Sequence, residues 1–506
     1  LVPFLIFSIG VSHAVQMTNA WKQDVLQGCD SVSAARSAFC KIFIPGALAL
    51  LMNALGFGVI MLIDIPIVHE LGITACIGVM LMIITNKMML PIIISHLSLE
   101  AGARSGSRPA SAGRHPLWWR LSALALPGPA LAVFACCVLL LGFGVTKARQ
   151  LEVGDIGAGA PELRADSRYN LDNEKIIGSY SIGLDVLAVF VESPGGQEAC
   201  LDPKVMRAIE AFDFEIRNVA GVQSVQSVAG MAKAVIAGNN EGNPRWAAIP
   251  GAPRGLQQGS LAYSPDHGLV TEGCAHQQIL VFLTDHEGAT IFHVVNEAKR
   301  IIAAVSVPEA RFKLAGGNVG VMAASNEAVK QAEVVMLAAL FCSVALFCLL
   351  TFRSLRAVLC ILVPLGIVAI LCNALMAMLG IGLKVATLPV MALGVGVGVD
   401  YGIYLYERIQ HEMAEGRDLR AAFYEAMCQR GTAAVFTALT MSIGVCSWAF
   451  APLKFQADMG VLLAFMFLVN VFGAILVLPA LAAWFDQGRA LVTPRKVLAV
   501  PAEAWT

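Results

Sequence analysis

The sequence predicts a polytopic α-helical membrane protein that carries an α+β domain outside the membrane. Of its 506 residues, 57% are hydrophobic and only 14% are charged, whereas about a quarter of the residues are charged in a soluble domain. Apolar runs recur along the chain and are interrupted by one long polar stretch, residues 146–330. The net charge of −1 gives no reason to expect a nucleic-acid partner.

Nine apolar segments are long enough to cross a bilayer whose hydrocarbon core is about 30 Å thick. The predicted spans are residues 1–20, 42–62, 71–97, 121–145, 331–352, 355–380, 386–407, 431–451 and 457–484.

Lysine and arginine residues in the short connections predict the orientation of these spans. One set of connections is rich in them, whereas the alternate short connections contain only Lys384 and Lys454. The rich set contains Lys22, Arg36, Lys41, Arg104, Arg108, Arg114, Arg120, Arg353, Arg356, Arg408, Arg417, Arg420 and Arg430. This set is predicted to be cytoplasmic, which places the polar stretch in a periplasm-like space.

These features divide the chain into six parts. The predicted parts are a first bundle (1–97), a cytoplasmic linker (98–120), a single span (121–145), an outer domain (146–330), a second bundle (331–484) and a cytoplasmic tail (485–506). The linker contains AGARSGSRPASAGRH (101–115), whose Gly, Ser and Pro content is typical of a flexible segment.

An internal repeat relates the two bundles at a fixed offset of 388 residues. The matching pairs are Gly10-Val11 with Gly398-Val399, Ala38 with Ala426, Cys40 with Cys428, Gly56 with Gly444, Gly72 with Gly460, and Leu90-Pro91 with Leu478-Pro479. Matches at one offset through three spans indicate a parallel duplication. We expect the first copy to continue upstream by roughly 270 residues, with three more spans and a second outer domain, which gives twelve spans in all.

The outer domain shows two βαβ patterns, which predict a ferredoxin-like module. Strands are expected at 184–191, 222–228, 278–285 and 311–317, with helices after Asp202-Pro203 and over 290–303. The segment 230–275 is rich in loop residues and receives no assignment. Cys200 and Cys274 each lie close to a predicted strand, so an oxidising compartment allows either a disulfide between them or two buried thiols.

The most unusual residue is Asp400, within the apolar sequence GVGVGVDYGIYLYER (394–408). A charged carboxylate inside a bilayer costs at least a few kcal/mol, so it needs a partner, a water cavity or a proton. Tyr404 and Glu407 share its helix face, although Glu407 could instead be solvated beside Arg408.

The repeat predicts which residues face Asp400. Ser12, His13, Gln16 and Asn19 correspond to Asp400, Tyr401, Tyr404 and Glu407. Crosswise pairing of the two helices would place His13 near Asp400 and Ser12 near Tyr401. A His–Asp pair in a low dielectric can exchange a proton, so these four residues are the candidate proton relay. The alternatives are a structural hydrogen bond at Asp400 and a satisfied core histidine at position 13.

The glycines of the same helices favour close helix packing rather than nucleotide binding. Gly394, Gly396 and Gly398, together with Gly10 in the first copy, are small residues inside predicted spans, and they lack the GxGxxG spacing. The sequence contains no GxxxxGK[ST], no HExxH, no CxxC pair and no defensible Ser-His-Asp order. We therefore expect no cofactor, no metal and no enzymatic activity, and a proton gradient is left as the energy source.

Three stretches resemble the RND superfamily of transporters, in particular its MmpL-like and hopanoid-exporter-like branch. They are GVGVDYGIYLYER (396–408), GVSHAVQ (10–16) and TALTMSIGVCSWAFAPLKFQADMGVL (437–462). The resemblance implies an RND-type fold with about nine of twelve spans present, and proton-driven export through periplasmic porter domains. MmpL-like members have Asp-Tyr in both central helices. Asp400-Tyr401 matches that pattern, whereas Ser12-His13 departs from it and places the relay on Asp400 with His13.

The resemblance further implies a location in the bacterial inner membrane and a hydrophobic or lipid-like substrate, with homo-oligomers possible. The alternative is a sterol- or lipid-sensing receptor that has the same bundle and no transport cycle.

Overall fold

The computed structural model describes residues 2–63, 65–97, 115–157, 159–180, 183–194, 199–260 and 263–486. Residues 98–114 of the expected linker and 487–506 of the expected tail lie outside this part of the chain. Within it, eight helical segments are long and apolar enough to cross a membrane. They are Ser31–Ile60, Val68–Ser95, Pro127–Ala148, Gly317–Phe352, Leu355–Leu379, Leu388–Ala414, Leu419–Phe450 and Lys454–Phe485. The chain is therefore a multi-pass membrane protein.

The described residues of the first bundle form four helices. They are α1 (Val2–Leu26), α2 (Ser31–Ile60), α3 (Pro66–Met82) and α4 (Leu90–Ser95), with a π-helical turn at Ile83–Met89 between the last two. The predicted span 1–20 forms α1, which is helical but is not among the eight segments that are apolar enough to cross a membrane. It packs against α2 and α3. Asp30 caps α2 by accepting a hydrogen bond from the backbone N–H of Ser33, which explains why this helix starts before the predicted span.

The outer domain follows a short helix and one further span. These elements are α5 (Pro116–Leu121), α6 (Pro127–Ala148), α7 (Arg168–Ser179), β1 (Val186–Glu192), α8 (Pro203–Arg217), β2 (Val222–Gln226), α9 (Val228–Asn239), α10 (Pro253–Ser260), β3 (His276–Leu283), α11 (Gly288–Val305) and β4 (Arg311–Gly316). The four strands form one antiparallel sheet in the order β2-β3-β1-β4. This is the expected ferredoxin-like arrangement, and that part of the prediction is confirmed.

A single apolar core holds this domain together. Val189, Val281 and Phe212 are fully buried in it, because α8 and α11 lay their apolar faces on the sheet. The unassigned segment 230–275 contributes most of α9, all of α10 and several short turns. Cys200 and Cys274 are joined by a disulfide, with their Cα atoms 5.7 Å apart.

The second bundle begins with a helix that leaves the outer domain and enters the membrane without a break. Its elements are α12 (Gly317–Phe352), α13 (Leu355–Leu379), α14 (Leu388–Ala414), α15 (Leu419–Ala426), a π-helical turn (Met427–Gly431), α16 (Thr432–Cys446), α17 (Lys454–Phe472), a second π-helical turn (Gly473–Val477) and α18 (Leu478–Asp486). The central helix α14 packs against α2, α13 and α17 and is buried along its apolar length.

The repeat extends to the helix boundaries. Three pairs of helices start at an offset of 388 residues, namely Ser31 with Leu419, Pro66 with Lys454, and Leu90 with Leu478. A π-helical turn precedes the last helix of both copies. The duplication therefore preserves three helix starts and one π-helical turn, whereas the turn at Met427–Gly431 has no counterpart within α2.

Candidate functional site

The structure brings His13 and Asp400 together in the centre of the bundle. The His13 Nε2 atom lies 3.5 Å from the Asp400 Oδ2 atom, and the two residues are 0% and 2% exposed. His13 extends from α1 and Asp400 from α14, so the two copies of the repeat each supply one partner. A single unpaired charge at such a buried position would be strongly disfavoured. The pair can therefore exist with one shared proton or with opposite charges on the two side chains.

Tyr404 holds the opposite side of the imidazole. Its hydroxyl oxygen lies 2.9 Å from His13 Nδ1, and both groups are buried. If the tyrosine donates to Nδ1, the proton of a neutral His13 sits on Nε2 and faces Asp400; if it accepts, Nδ1 carries a proton. Tyr404 therefore fixes the ring in an orientation that directs Nε2 at the carboxylate.

Asn53 is a further partner of the carboxylate that the sequence reasoning missed. Its Nδ2 atom donates to Asp400 Oδ2 at 3.0 Å and to the carbonyl oxygen of Ala49 at 3.2 Å. The other carboxylate oxygen, Oδ1, is buried without a hydrogen-bond partner among the described residues. The site thus holds one oxygen firmly and leaves the second available for a proton.

Lys87 is the most consequential residue that the sequence reasoning missed. It lies in the π-helical turn between α3 and α4, is 0% exposed, and its Nζ atom has no hydrogen-bond partner within the described part of the chain. A Cβ atom at Gly46 would overlap Nζ and lie 2.9 Å from the Tyr404 hydroxyl oxygen, so Lys87 and Tyr404 meet at Gly46. The sequence did contain a signal for Lys87, because it is a lone lysine in a predicted apolar span. Ionisable residues are rare in spans and are typically functional there.

The glycines of α14 make room for side chains from neighbouring helices. A Cβ atom at Gly396 would lie 2.6 Å from Asn53 Oδ1, and one at Gly398 would lie 2.6 Å from Asn470 Oδ1. Asn470 also donates to the carbonyl oxygen of Gly394 at 2.6 Å. In α1, the carbonyl oxygen of Gly10 accepts a hydrogen bond from Asn86 at 2.9 Å. The predicted close packing is therefore partly polar.

The remaining candidates form no continuous path in the described structure. Ser12 and Tyr401 are both buried, but no hydrogen bond joins them, and the Tyr401 side chain faces Thr437 instead. Gln16 is buried with its Oε1 atom unpaired among the residues described, and Asn19 donates to the carbonyl oxygen of Gln429 at 3.3 Å. The expected Ser12–Tyr401 contact is thus not formed as a hydrogen bond.

Glu407 is partly buried, and no ion pair joins it to Arg408 among the described residues. Its Oε2 atom is buried without a hydrogen-bond partner in the described chain, and the buried Arg430 supplies a nearby positive charge. Arg408 instead pairs with Glu412, which also lies 3.1 Å from Arg417. Glu407 therefore extends the polar face of α14 into the protein.

Comparison with known proteins connects this geometry with a family. Residues 272–506 match the model of the MMPL family. The expected resemblance to the MmpL-like branch of the RND superfamily is thereby confirmed. The MMPL match contains Asp400 and Tyr404, whereas His13, Asn53 and Lys87 come from residues that precede it.

Two curated relatives are named only as membrane proteins. One, from Methanocaldococcus jannaschii, is 24% identical over 269 residues, which is 51% of this chain and 65% of the relative. The other, from Streptomyces coelicolor, is 29% identical over 168 residues, which is 32% of this chain and 23% of the relative.

Two crystal structures of SecDF show the same fold. Each aligns with a TM-score of 0.54 and 14% sequence identity, over 96% of this chain and 54% of SecDF. One of them is described as a translocon-associated membrane protein from Thermus thermophilus. This likeness confirms the RND-type fold. The chain spans less than two thirds of the length of both curated relatives and of the SecDF chains.

Proposed function

We propose that this protein is a proton-driven exporter of hydrophobic or lipid-like molecules. The observation that carries the proposal is the buried His13–Asp400 pair, which joins the two copies of the repeat in the middle of the bundle. A titratable pair in this position is costly to bury, and intramembrane ionisable residues typically mark proton or ion pathways. The MMPL match and the RND-type fold support a transporter.

In the proposed relay, the protonation state of Asp400 controls its electrostatic attraction to His13 and Lys87. When Asp400 is ionised, a protonated His13 and the ammonium of Lys87 attract it and draw α1 and the π-helical turn after α3 toward α14. When Asp400 is protonated, this attraction is lost and the helices relax. Alternation between the two states rocks the two bundles against each other, in the manner of transporters built from repeats.

The proposal includes a location and a substrate class. We place the chain in a bacterial inner membrane with residues 146–330 on the periplasmic side, where a disulfide such as Cys200–Cys274 is stable. The energy source is the proton gradient, without a cofactor. A hydrophobic or lipid-like substrate enters from the membrane, and assembly into homo-oligomers is compatible with this route.

Proton flux in proteoliposomes tests the proposal. The full-length protein is purified and reconstituted with a pH-sensitive dye in the lumen and a fluorescent phospholipid analogue in the bilayer, and a pH gradient is imposed. We expect the wild type to move protons and analogue together, and Asp400→Asn to abolish both without loss of folding. Glu333→Gln is the matched control, because it also converts a carboxyl within a predicted span to an amide, at a site on α12 that accepts a hydrogen bond from Asn373 of α13.

Two outcomes would contradict the proposal. Undiminished proton-coupled movement of the analogue by Asp400→Asn would show that the pair is not the relay. Binding of the analogue by the wild type without any response to the gradient would instead favour the lipid-sensing receptor.

A further inference from the structure

A short segment connects the outer domain to the helix that carries Asp400. Residues 152–155, here called the strap, follow α6 and run beside the turn that precedes α14. Val153 pairs with Leu383 as parallel β-structure; the N–H of Gly154 donates to the Leu383 carbonyl, and the N–H of Leu383 donates to the Glu152 carbonyl, both at 2.9 Å. The strap is thus bonded to the chain five residues before α14 begins.

The same strap is bonded to the outer domain on its other side. The N–H of Gly288, the first residue of α11, donates to the Asp155 carbonyl at 2.8 Å. A Cβ atom at Gly288 would overlap the Val153 carbonyl oxygen, and one at Gly382 would overlap that of Gly154. Gly154 itself has a φ of +103°, which other residues rarely adopt. Three backbones therefore meet with no side chain between them.

A partly buried ion pair secures this crossing. Lys384 Nζ lies 2.9 Å from Asp155 Oδ1, and the two side chains are 15% and 17% exposed. Behind it, His286 Nδ1 lies 3.1 Å from Asp185 Oδ2, and Asn318 of α12 donates to Asp185 Oδ1 at 3.2 Å. Polar contacts thus continue from the start of α14 to the base of the sheet and to α12.

We propose that the strap transmits movement of α14 to the outer domain, with Lys384 and Asp155 as its positioning residues. This inference rests on the proposed function. Because the backbones are in direct contact, no flexible side chain between them can absorb a displacement. The helix is also stiff over the twelve residues from Leu388 to Asp400, a distance of about 18 Å. A change in the packing of α14 at Asp400 therefore reaches α11 through the strap.

Hydrogen exchange in the full chain, in nanodiscs, tests the link without knowledge of the substrate. Asp400→Asn imitates the protonated carboxyl, and we expect it to change amide exchange at the start of α11 several-fold. The same substitution is then made in a Lys384→Met background, where we expect its effect on α11 to disappear. Lys384→Arg should restore the effect, because the ion pair can re-form.

The control is Lys204→Met, which removes an exposed ion pair with Glu309 in the same domain and should leave the response intact. A response of α11 that survives Lys384→Met, or no response to Asp400→Asn at all, would overturn the strap as a link. Failure of the proposed function is a separate result, since it appears as absent proton flux in wild-type proteoliposomes.

Discussion

Lys87 is the residue whose replacement best separates proton transfer from packing. Its ammonium is fully buried without a hydrogen-bond partner in the described structure, so Lys87→Met removes a costly charge and keeps the volume. Replacing buried charges with apolar residues of similar volume is often neutral or stabilising by about 1–4 kcal/mol. We expect unchanged or higher thermal stability together with at least a tenfold loss of proton flux.

Thermal unfolding and lumenal pH measurements on the same preparation check this expectation. Lys41→Met serves as the control, because its half-exposed ammonium pairs with Asp24 away from Asp400. Normal flux through Lys87→Met would remove Lys87 from the relay.

His286 gives the outer domain a pH dependence of known sign. Burial opposes the imidazolium, but the hydrogen bond to Asp185 and the charges of Asp185, Asp155 and Asp285 outweigh burial and raise the pKa of His286 above 6.5. A raised pKa in the folded state contributes stability below the unfolded pKa, and this contribution is lost as the pH rises through the folded pKa.

We therefore expect His286→Gln to flatten the pH dependence of outer-domain stability. The stability of the wild-type outer domain should exceed that of the variant most at about pH 5.5, and this difference in stability should shrink toward about pH 8.5. Limited proteolysis of the outer domain across this range measures the effect, with exposed His293→Gln as the control. A difference that grows with pH would contradict the assignment.

The sequence located half of this site and missed the other half for a physical reason. His13 and Asp400 are both found because the repeat aligns their two helices. Lys87 and Asn53 have apolar counterparts, Ile475 and Met441, so symmetry does not indicate them. Their proximity to Asp400 depends on how α2 and α3 pack, and periodicity within one helix carries no information about that.

Helix α14 depends on the absence of side chains at its contact positions. At Gly396 a methyl group would lie 2.6 Å from Asn53 Oδ1, so Gly396→Ala must push Asn53 away from Asp400. Inserting a methyl group into a packed interior costs roughly 1–3 kcal/mol. We therefore expect Gly396→Ala to lower the free energy of unfolding by roughly 1–3 kcal/mol. It should also reduce proton flux.

Gly366→Ala in α13 is the matched control, because a Cβ atom there meets open space. It should be neutral or stabilising by up to about 1 kcal/mol, since alanine favours a helix. Denaturant unfolding in detergent compares the two variants, and equal stabilities would mean that the α14 packing is less tight than described.

Element boundaries were less predictable than element types. An apolar run indicates only the part of a helix that lies inside the bilayer. For this reason α12 was predicted to start at residue 331, whereas it starts at Gly317 within the outer domain. The four strands and the ferredoxin-like module followed from alternation and the βαβ pattern. The helices α9 and α10 did not, because polar and glycine-rich segments such as 253–260 become helical only against a neighbouring surface.

In the whole molecule, the number of spans between two regions determines whether they lie on the same side of the membrane. Three spans, α12, α13 and α14, separate the outer domain from the turn after Ala414. An odd number of crossings puts these two regions on opposite sides of the membrane. The Lys and Arg residues near that turn predict that it is the cytoplasmic one, as the proposed function requires.

Cysteine labelling with a membrane-impermeant maleimide in bacterial spheroplasts checks this orientation. Phe214→Cys lies on the exposed face of α8, with Phe214 67% exposed, and should react in intact spheroplasts. Glu415→Cys should react only after permeabilisation, because its half-exposed side chain lies beyond Ala414. The unsubstituted chain gives the background from its own cysteines. The reverse pattern would place the outer domain in the cytoplasm, where a proton gradient directed inward could not drive export through it.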